Sequence, residues 1–161
     1  MKQLLLVRHA KSSWDNSGIK DFDRPLNQRG MADAALMGTQ IKLRPTQVLC
    51  SSAERTRQTT DILLAEMGIS LDLVEYRDSL YLASCQQLMQ QIVHLPASED
   101  CAMLISHNPS VAEFIETYTS ICPARVPTCC VSELSYQVTS WTEVENNMPT
   151  TERFIFPAMF R

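Results

Sequence analysis

The sequence predicts an α/β fold: a three-layer α/β/α sandwich around a mostly parallel sheet with helices on both faces, in one domain over residues 1–161. Short apolar runs at 4–7, 47–50 and 101–105 have the length of buried strands and end in polar or turn residues. Segments of helical period follow them, and strand–helix alternation implies parallel strands joined by crossover helices. At 161 residues the chain is also long enough for a single sizeable core.

Taken in order, Leu4-Leu5-Leu6-Val7 is the first strand, too brief for a membrane span. A polar loop over 11–27 follows, with Asp15-Asn16-Ser17-Gly18 turn chemistry and Arg24-Pro25. Asn27 is an N-cap candidate for a helix over 28–42, in which Ala32, Ala35, Leu36 and Ile41 keep the period until Pro45 stops it. The second strand, 47–50, leads to Ser51 and Ser52, both offered as N-caps for a helix running to Met67 and closed by Gly68. A weaker third strand is expected over 71–75. Ser84 caps a helix over 86–94, with Leu88, Met89, Ile92 and Val93 on one side and Pro96 beyond it. After the strand at 101–105, Pro109 suits the first turn of a helix over 111–118. Segments 130–138 and 153–156 are expected as edge strands of the same sheet. No repeat, low-complexity tract or linker divides the chain.

Composition narrows the function classes. The formal net charge is -4, which argues against a nucleic-acid binder, because such proteins need surplus cations to displace phosphate counterions. No stretch approaches the roughly 20 apolar residues of a membrane helix, so no membrane partner is expected. Six cysteines are present but none in a Cys-x-x-Cys spacing, and three scattered histidines supply too few ligands for a zinc site. Reduced structural thiols, no metal, no cofactor and, with no signal peptide, a cytoplasmic location are the expectations. Against the acidic background Arg8, Lys11, Arg55 and Arg57 stand out as a local anion pocket, if the fold brings them together.

Three strand ends deliver polar residues to one rim: Arg8-His9 after the first, Ser51 to Arg57 after the second, and Ser106-His107-Asn108 after the fourth. Ligands of open α/β sheets bind at the carboxyl ends of strands. Two of these positions open onto helix N-termini, whose free amides favour an anion. Arginine adds charge-assisted donors matched to phosphate oxygens. Two histidines can divide the work, one neutral as nucleophile and one stabilising charge. His94, before Pro96, is expected to serve only its helix end. Arg57 is expected to point outward, and Asp23 and Arg24 to fix the long loop. Trp14 either flanks the pocket mouth or packs that loop.

Arg8-His9-Ala10-Lys11-Ser12-Ser13-Trp14 resembles the Arg-His-Gly signature of the histidine phosphatase superfamily, with its phosphoglycerate-mutase-like fold. Ser51-Ser52-Ala53-Glu54-Arg55-Thr56-Arg57-Gln58-Thr59 is similar to its second motif, and Ile105-Ser106-His107-Asn108-Pro109 to its third. With Asp21-Phe22-Asp23-Arg24-Pro25-Leu26-Asn27-Gln28-Arg29-Gly30 the set looks like the small phosphohistidine phosphatase (SixA-like) branch, over residues 2 to about 110. The resemblance implies His9 as a nucleophile that becomes phosphorylated, and Arg8, Arg55 and His107 as the clamp on the phosphoryl oxygens, with no metal. Ala10 stands where glycine is common, which is tolerable if φ there is negative. A carboxylate acid is implied near residues 76–83, and Asp78 is the nearest candidate, although glutamate is more usual in the superfamily at large.

The short chain leaves little room for the lids with which larger members enclose sugar phosphates. A phosphorylated protein, such as a phosphohistidine-bearing signalling domain, is therefore the expected substrate. A small phosphomonoester metabolite is the alternative, and a non-catalytic phosphate-binding or scaffold module is the alternative from another class.

Overall fold

The computed structural model describes Met1–Arg161. Six strands, β1 (Lys2–Arg8), β2 (Gln47–Ser51), β3 (Val74–Arg77), β4 (Cys101–Ser106), β5 (Val131–Tyr136) and β6 (Thr151–Ile155), form one sheet in the order β3-β2-β4-β1-β5-β6. The first four run parallel; β5 and β6 pair antiparallel with their neighbours. Alternation along β1 builds two cores. Leu4 and Leu6 face α3 (Cys85–Val93) and α4 (Ser110–Tyr118), while Leu5 and Val7 face α1 (Gln28–Gly38) and α2 (Glu54–Met67). The expected three-layer sandwich is the observed one.

Several boundaries differ from the expectation, each for a local reason. α1 stops at Gly38 rather than at 42, because the Lys42 amide donates to Glu133 Oε1 at 2.7 Å and draws the segment toward the sheet. Ser51 and Ser52 are not N-caps: α2 begins after Ala53 with no side-chain cap, and both hydroxyls are committed elsewhere. Gly68 closes α2 at φ 68°, the left-handed conformation glycine tolerates. The third strand lies later than 71–75, since Ser70 accepts from the Asp72 amide and turns Leu71–Leu73 into a 3-10 helix. Ser84 caps α3 as expected, in a reciprocal capping box with Gln87. Pro109 is the N-cap residue of α4 rather than part of its first turn.

The segment expected as an edge strand at 130–138 lies inside the sheet instead. β5 is nearly all buried between β1 and β6, leaving β6 and β3 as the edges. Glu133 on β5 is buried and satisfied by Arg153 and by the amides of Lys42 and Leu43. A buried lysine opens β1: Lys2 Nζ donates to Ala97 O, Glu99 O and Asp100 Oδ1 at 2.7, 3.0 and 2.8 Å, using all three of its donors. No helix is long and apolar enough to cross a membrane.

Candidate active site

Parallel pairing sets β1, β2 and β4 side by side, with Arg8 level with Ser106 and Cys50 level with Ile105. The residues at and just past these strand ends therefore meet: His9 beyond β1, Ser51 at the end of β2 with Ser52 to Arg55 beyond it, and His107 beyond β4. His9 is 7% exposed and its ring centroid lies 5.3 Å from that of His107. His9 Nδ1 lies 2.7 Å from Ala10 O. A carbonyl only accepts, so Nδ1 carries the hydrogen and the neutral ring keeps its lone pair on Nε2. Burial, with His107, Arg55 and Arg8 adding like charge, pushes the His9 pKa down to about 3. At neutral pH His9 is an unprotonated imidazole held in the tautomer a phosphoryl acceptor needs.

The backbone around His9 is fixed from three sides. Its amide donates to Ser106 O, and the Ala10 amide donates to Thr59 Oγ1 at 2.9 Å. Ala10 is fully buried and does not adopt a positive φ, so alanine fits in place of glycine. Cys129 sits at φ 61°, and this left-handed turn lets its amide donate to both Arg8 O and His9 O, at 3.1 and 3.0 Å.

The implied clamp converges on the two imidazoles. Arg8 Nη1 donates to Val126 O at 2.9 Å, and burial lowers its pKa. Arg55, 4% exposed on the first turn of α2, donates from Nη1 to Asp21 O and from Nη2 to Asp21 Oδ2, at 2.7 and 3.1 Å. His107 Nε2 lies 2.7 Å from Ser51 Oγ. Burial first, then Arg55 and Arg8, lowers the His107 pKa to about 4. Arg8 Nε, Arg55 Nε and His107 Nδ1 are buried without a protein partner. Buried polar groups are nearly always paired; of the six exceptions in this chain, three fall on these clamp residues and the others on Gln47, Ser132 and Tyr136.

Asp78 follows β3, whose register sets Arg77 beside Ser51. It is exposed and accepts a hydrogen bond from Ser52 Oγ, one residue from the Ser51 that contacts His107. Arg57 leaves the cluster: its guanidinium stacks 4.0 Å over Tyr76 and donates to Ser52 O. Arg24 fixes the long loop as expected, bonding Asp21, Ser12 and Ser13 and stacking 3.5 Å over Trp14, which is 72% exposed. Asp23 is exposed and makes no such contact. His94 Nδ1 bonds Gln90 O at the end of α3.

Sequence reasoning assigned no role to Asp21 or Tyr81, and offered Ser51 as a helix cap at the rim rather than as a partner of His107. Asp21 accepts from Tyr81 Oη at 2.6 Å as well as from Arg55 and Arg24, and these partners hold its pKa down to about 2. Tyr81 stacks edge-on against His107 and Phe22, with centroids 5.6 and 4.9 Å apart. The one signal for Asp21 was its place in the loop motif.

Residues 4–80 match the family model of the histidine phosphatase superfamily (branch 1). An uncharacterised chloroplastic protein of Arabidopsis thaliana is 30% identical over 153 residues, 88% of this chain and 70% of that protein. A crystal structure of an Agrobacterium tumefaciens protein, provisionally assigned as the phosphohistidine phosphatase SixA, is 27% identical at a TM-score of 0.78, covering 97% of this chain and 99% of that one. The protein histidine phosphatase SixA complexed with tungstate has a TM-score of 0.79 at 17% identity, covering 99% of each chain, which shows a shared fold. The architecture is the phosphoglycerate-mutase-like one that the motifs implied. Likeness of this extent, over the stretch that carries His9 and Arg55, shows that the chain belongs to the histidine phosphatase superfamily.

Proposed function

We propose that the chain is a phosphatase in which His9 accepts the phosphoryl group and water then removes it, acting on phosphohistidine carried by a protein. One observation carries the reading: His9 keeps Nε2 unprotonated beside three buried, unpaired polar atoms on Arg8, Arg55 and His107. A buried polar group without a partner costs about 1–3 kcal/mol, and a phosphoryl group brings the oxygens that would pair with them.

In the first step His9 Nε2 bonds to phosphorus in line with the breaking bond to the substrate imidazole; that bond's electron pair returns to the leaving nitrogen, and the ring, protonated on its other nitrogen, departs neutral. In the second, water attacks phosphorus, the bond to Nε2 breaks back toward His9, and inorganic phosphate leaves. His9 retains its Nδ1 hydrogen throughout, so the phosphorylated ring is cationic and the Ala10 carbonyl faces that charge. Arg8 and Arg55 neutralise the phosphoryl oxygens from fixed positions, the preorganisation on which phosphoryl transfer depends. When Ser51 donates its hydroxyl hydrogen to His107 Nε2, the His107 proton sits on Nδ1 and is available to a phosphoryl oxygen. Asp78 protonates leaving groups that need a proton. The positive charge comes from protein groups, so the proposal needs no metal ion. Six free cysteines support a reducing compartment such as the cytoplasm.

Likeness to the Agrobacterium protein provisionally assigned as a phosphohistidine phosphatase supports phosphohistidine as the substrate group. The test is to compare kcat/KM for a phosphohistidine protein with a panel of phosphomonoesters. The phosphohistidine protein should rank first. One small phosphomonoester ahead by orders of magnitude would replace this reading with a metabolite phosphatase.

A further inference from the structure

Beside the clamp lies a cavity of about 640 Å³ that does not touch His9 or Arg55. Five cationic side chains line it, Arg8, Lys11, Arg29, Arg125 and Arg161, against one carboxylate, Asp33. In a chain of net charge -4 this is a marked local concentration of positive charge. Its size falls in the range of small-ligand pockets, about 300–1,000 Å³, yet only 3 of its 14 lining residues are hydrophobic.

Two of the cations are tied to a buried carboxylate, while the Lys11 and Arg125 side chains are exposed. Asp33 on α1 is 4% exposed and engages Arg29 Nε at 3.5 Å and Arg161 Nε at 3.3 Å, tying two guanidiniums to one wall. Lys11 is fixed through its backbone: its carbonyl accepts from the Asn27 amide at 3.0 Å, and a Cβ on Gly30 would lie 2.1 Å from that carbonyl. Only glycine allows so close an approach. Lys11 and Arg125 make no ion pair. Val126 O accepts from both Arg8 Nη1 and Asn108 Nδ2, so the wall carrying Arg125 is joined to the strand ends of the active site. Arg8 is the side chain the two sites share.

We infer that this cavity is a subsite for a second anionic group of the substrate, seated next to the phosphoryl group that His9 attacks. The inference rests on the proposed role of His9 and adds to it that the preferred substrate is polyanionic around its phosphate. Acidic side chains flanking a phosphohistidine and a second phosphate on a small molecule share this chemistry.

The full chain tests it, together with the double variant Arg29→Gln/Arg125→Gln, which alters two cavity-lining cations and no residue of the proposed catalytic machinery. Phenyl phosphate, with one anionic group, should be hydrolysed equally by both and so reports an intact fold and active site. Two phosphohistidine peptides of equal length, flanked by glutamates or by glutamines, form one arm. Butane-1,4-diol monophosphate and bisphosphate form the other. The wild type should show a KM about 10-fold lower for the glutamate peptide, with similar kcat, and the double variant should lose that preference. If instead only the bisphosphate shows a preference that the variant abolishes, and neither peptide is hydrolysed, the subsite stands and the phosphohistidine reading falls. No preference in either arm, or a preference that survives in the variant, overturns the subsite while leaving the role of His9 intact.

Discussion

Asp21 grips Arg55 twice, with its backbone carbonyl on Nη1 and its carboxylate on Nη2. The same carboxylate accepts from Tyr81 and Arg24, so one loop residue sets the direction of a clamp arginine. Asp21→Ala should lower kcat, since misplacing a reacting contact by about 1 Å can cost as much as about 100-fold. Asp21→Asn keeps the backbone bond and a polar partner, and should lose less. Steady-state kinetics that match wild type in both variants would show that Arg55 needs no such brace.

Arg55 and Arg57 occupy one helix turn but face different surroundings. Arg55→Ala should cost about 3–4 kcal/mol of transition-state stabilisation, the order found for lost preorganised donors. Arg57→Ala removes a stack on Tyr76 and should leave kcat/KM nearly unchanged. Equal losses would mean that both guanidiniums act on the phosphoryl group.

His9→Ala should abolish turnover with the fold retained by circular dichroism. Acid-quenched wild type should carry a base-stable, acid-labile phosphoryl group, and its yield should be the same after exhaustive EDTA treatment. Full activity in His9→Ala would refute the mechanism, and a loss that added divalent metal restores would refute its metal independence.

The two buried imidazoles bear on stability against pH. Both have folded pKa values below their ordinary 6.5, at about 3 for His9 and about 4 for His107. Between pH 6.5 and 4 the unfolded chain binds protons that the folded chain refuses, so stability falls as pH falls. Each such histidine contributes a slope approaching about 1.4 kcal/mol per pH unit. Asp21, held down to about 2, adds a loss only below its ordinary 3.8, whereas Asp33, raised by burial, acts above 3.8 and there opposes the histidines. Urea unfolding of His107→Gln across pH 4.5–7.5 should show a flatter dependence than wild type. Parallel curves would mean that His107 does not enter the fold as a neutral ring.

Leaving groups separate the roles of Asp78. An alkoxide needs a proton more than an imidazole does, and general acid catalysis contributes about 10²–10⁴-fold. Asp78→Asn should slow alkyl phosphomonoester hydrolysis far more than phosphohistidine hydrolysis, with an activated aryl ester between them. Equal slowing of all three would make Asp78 a positioning residue that acts through Ser52.

The strands of the parallel half and the residues at their ends were legible because apolar runs announce buried strands, and parallel strands place their carboxyl ends together. The sequence alone thus brings His9, Arg55 and His107 to one rim. Features that depend on tertiary partners were not legible. Ser51 and Ser52 have the chemistry of helix caps, but His107 and Asp78 claim their hydroxyls. The interior place of β5 was hidden because an antiparallel strand beside β1 leaves no local signal of its neighbours. Asp21 looked like any loop carboxylate until Arg55 was found beneath it.

The clip made by the Cys129 amide on Arg8 and His9 has a consequence for synthesis. β1 leaves the ribosome before the other strands, yet its partners β4 and β5 begin only at Cys101 and Val131. Contacts so far apart in sequence close late and at high entropic cost. A nascent chain ending before Cys129 already contains His9, Arg55 and His107 but lacks the amide that shapes the loop between Arg8 and Ala10. The nucleophile is translated early and set in place only when Cys129 and the strand after it arrive.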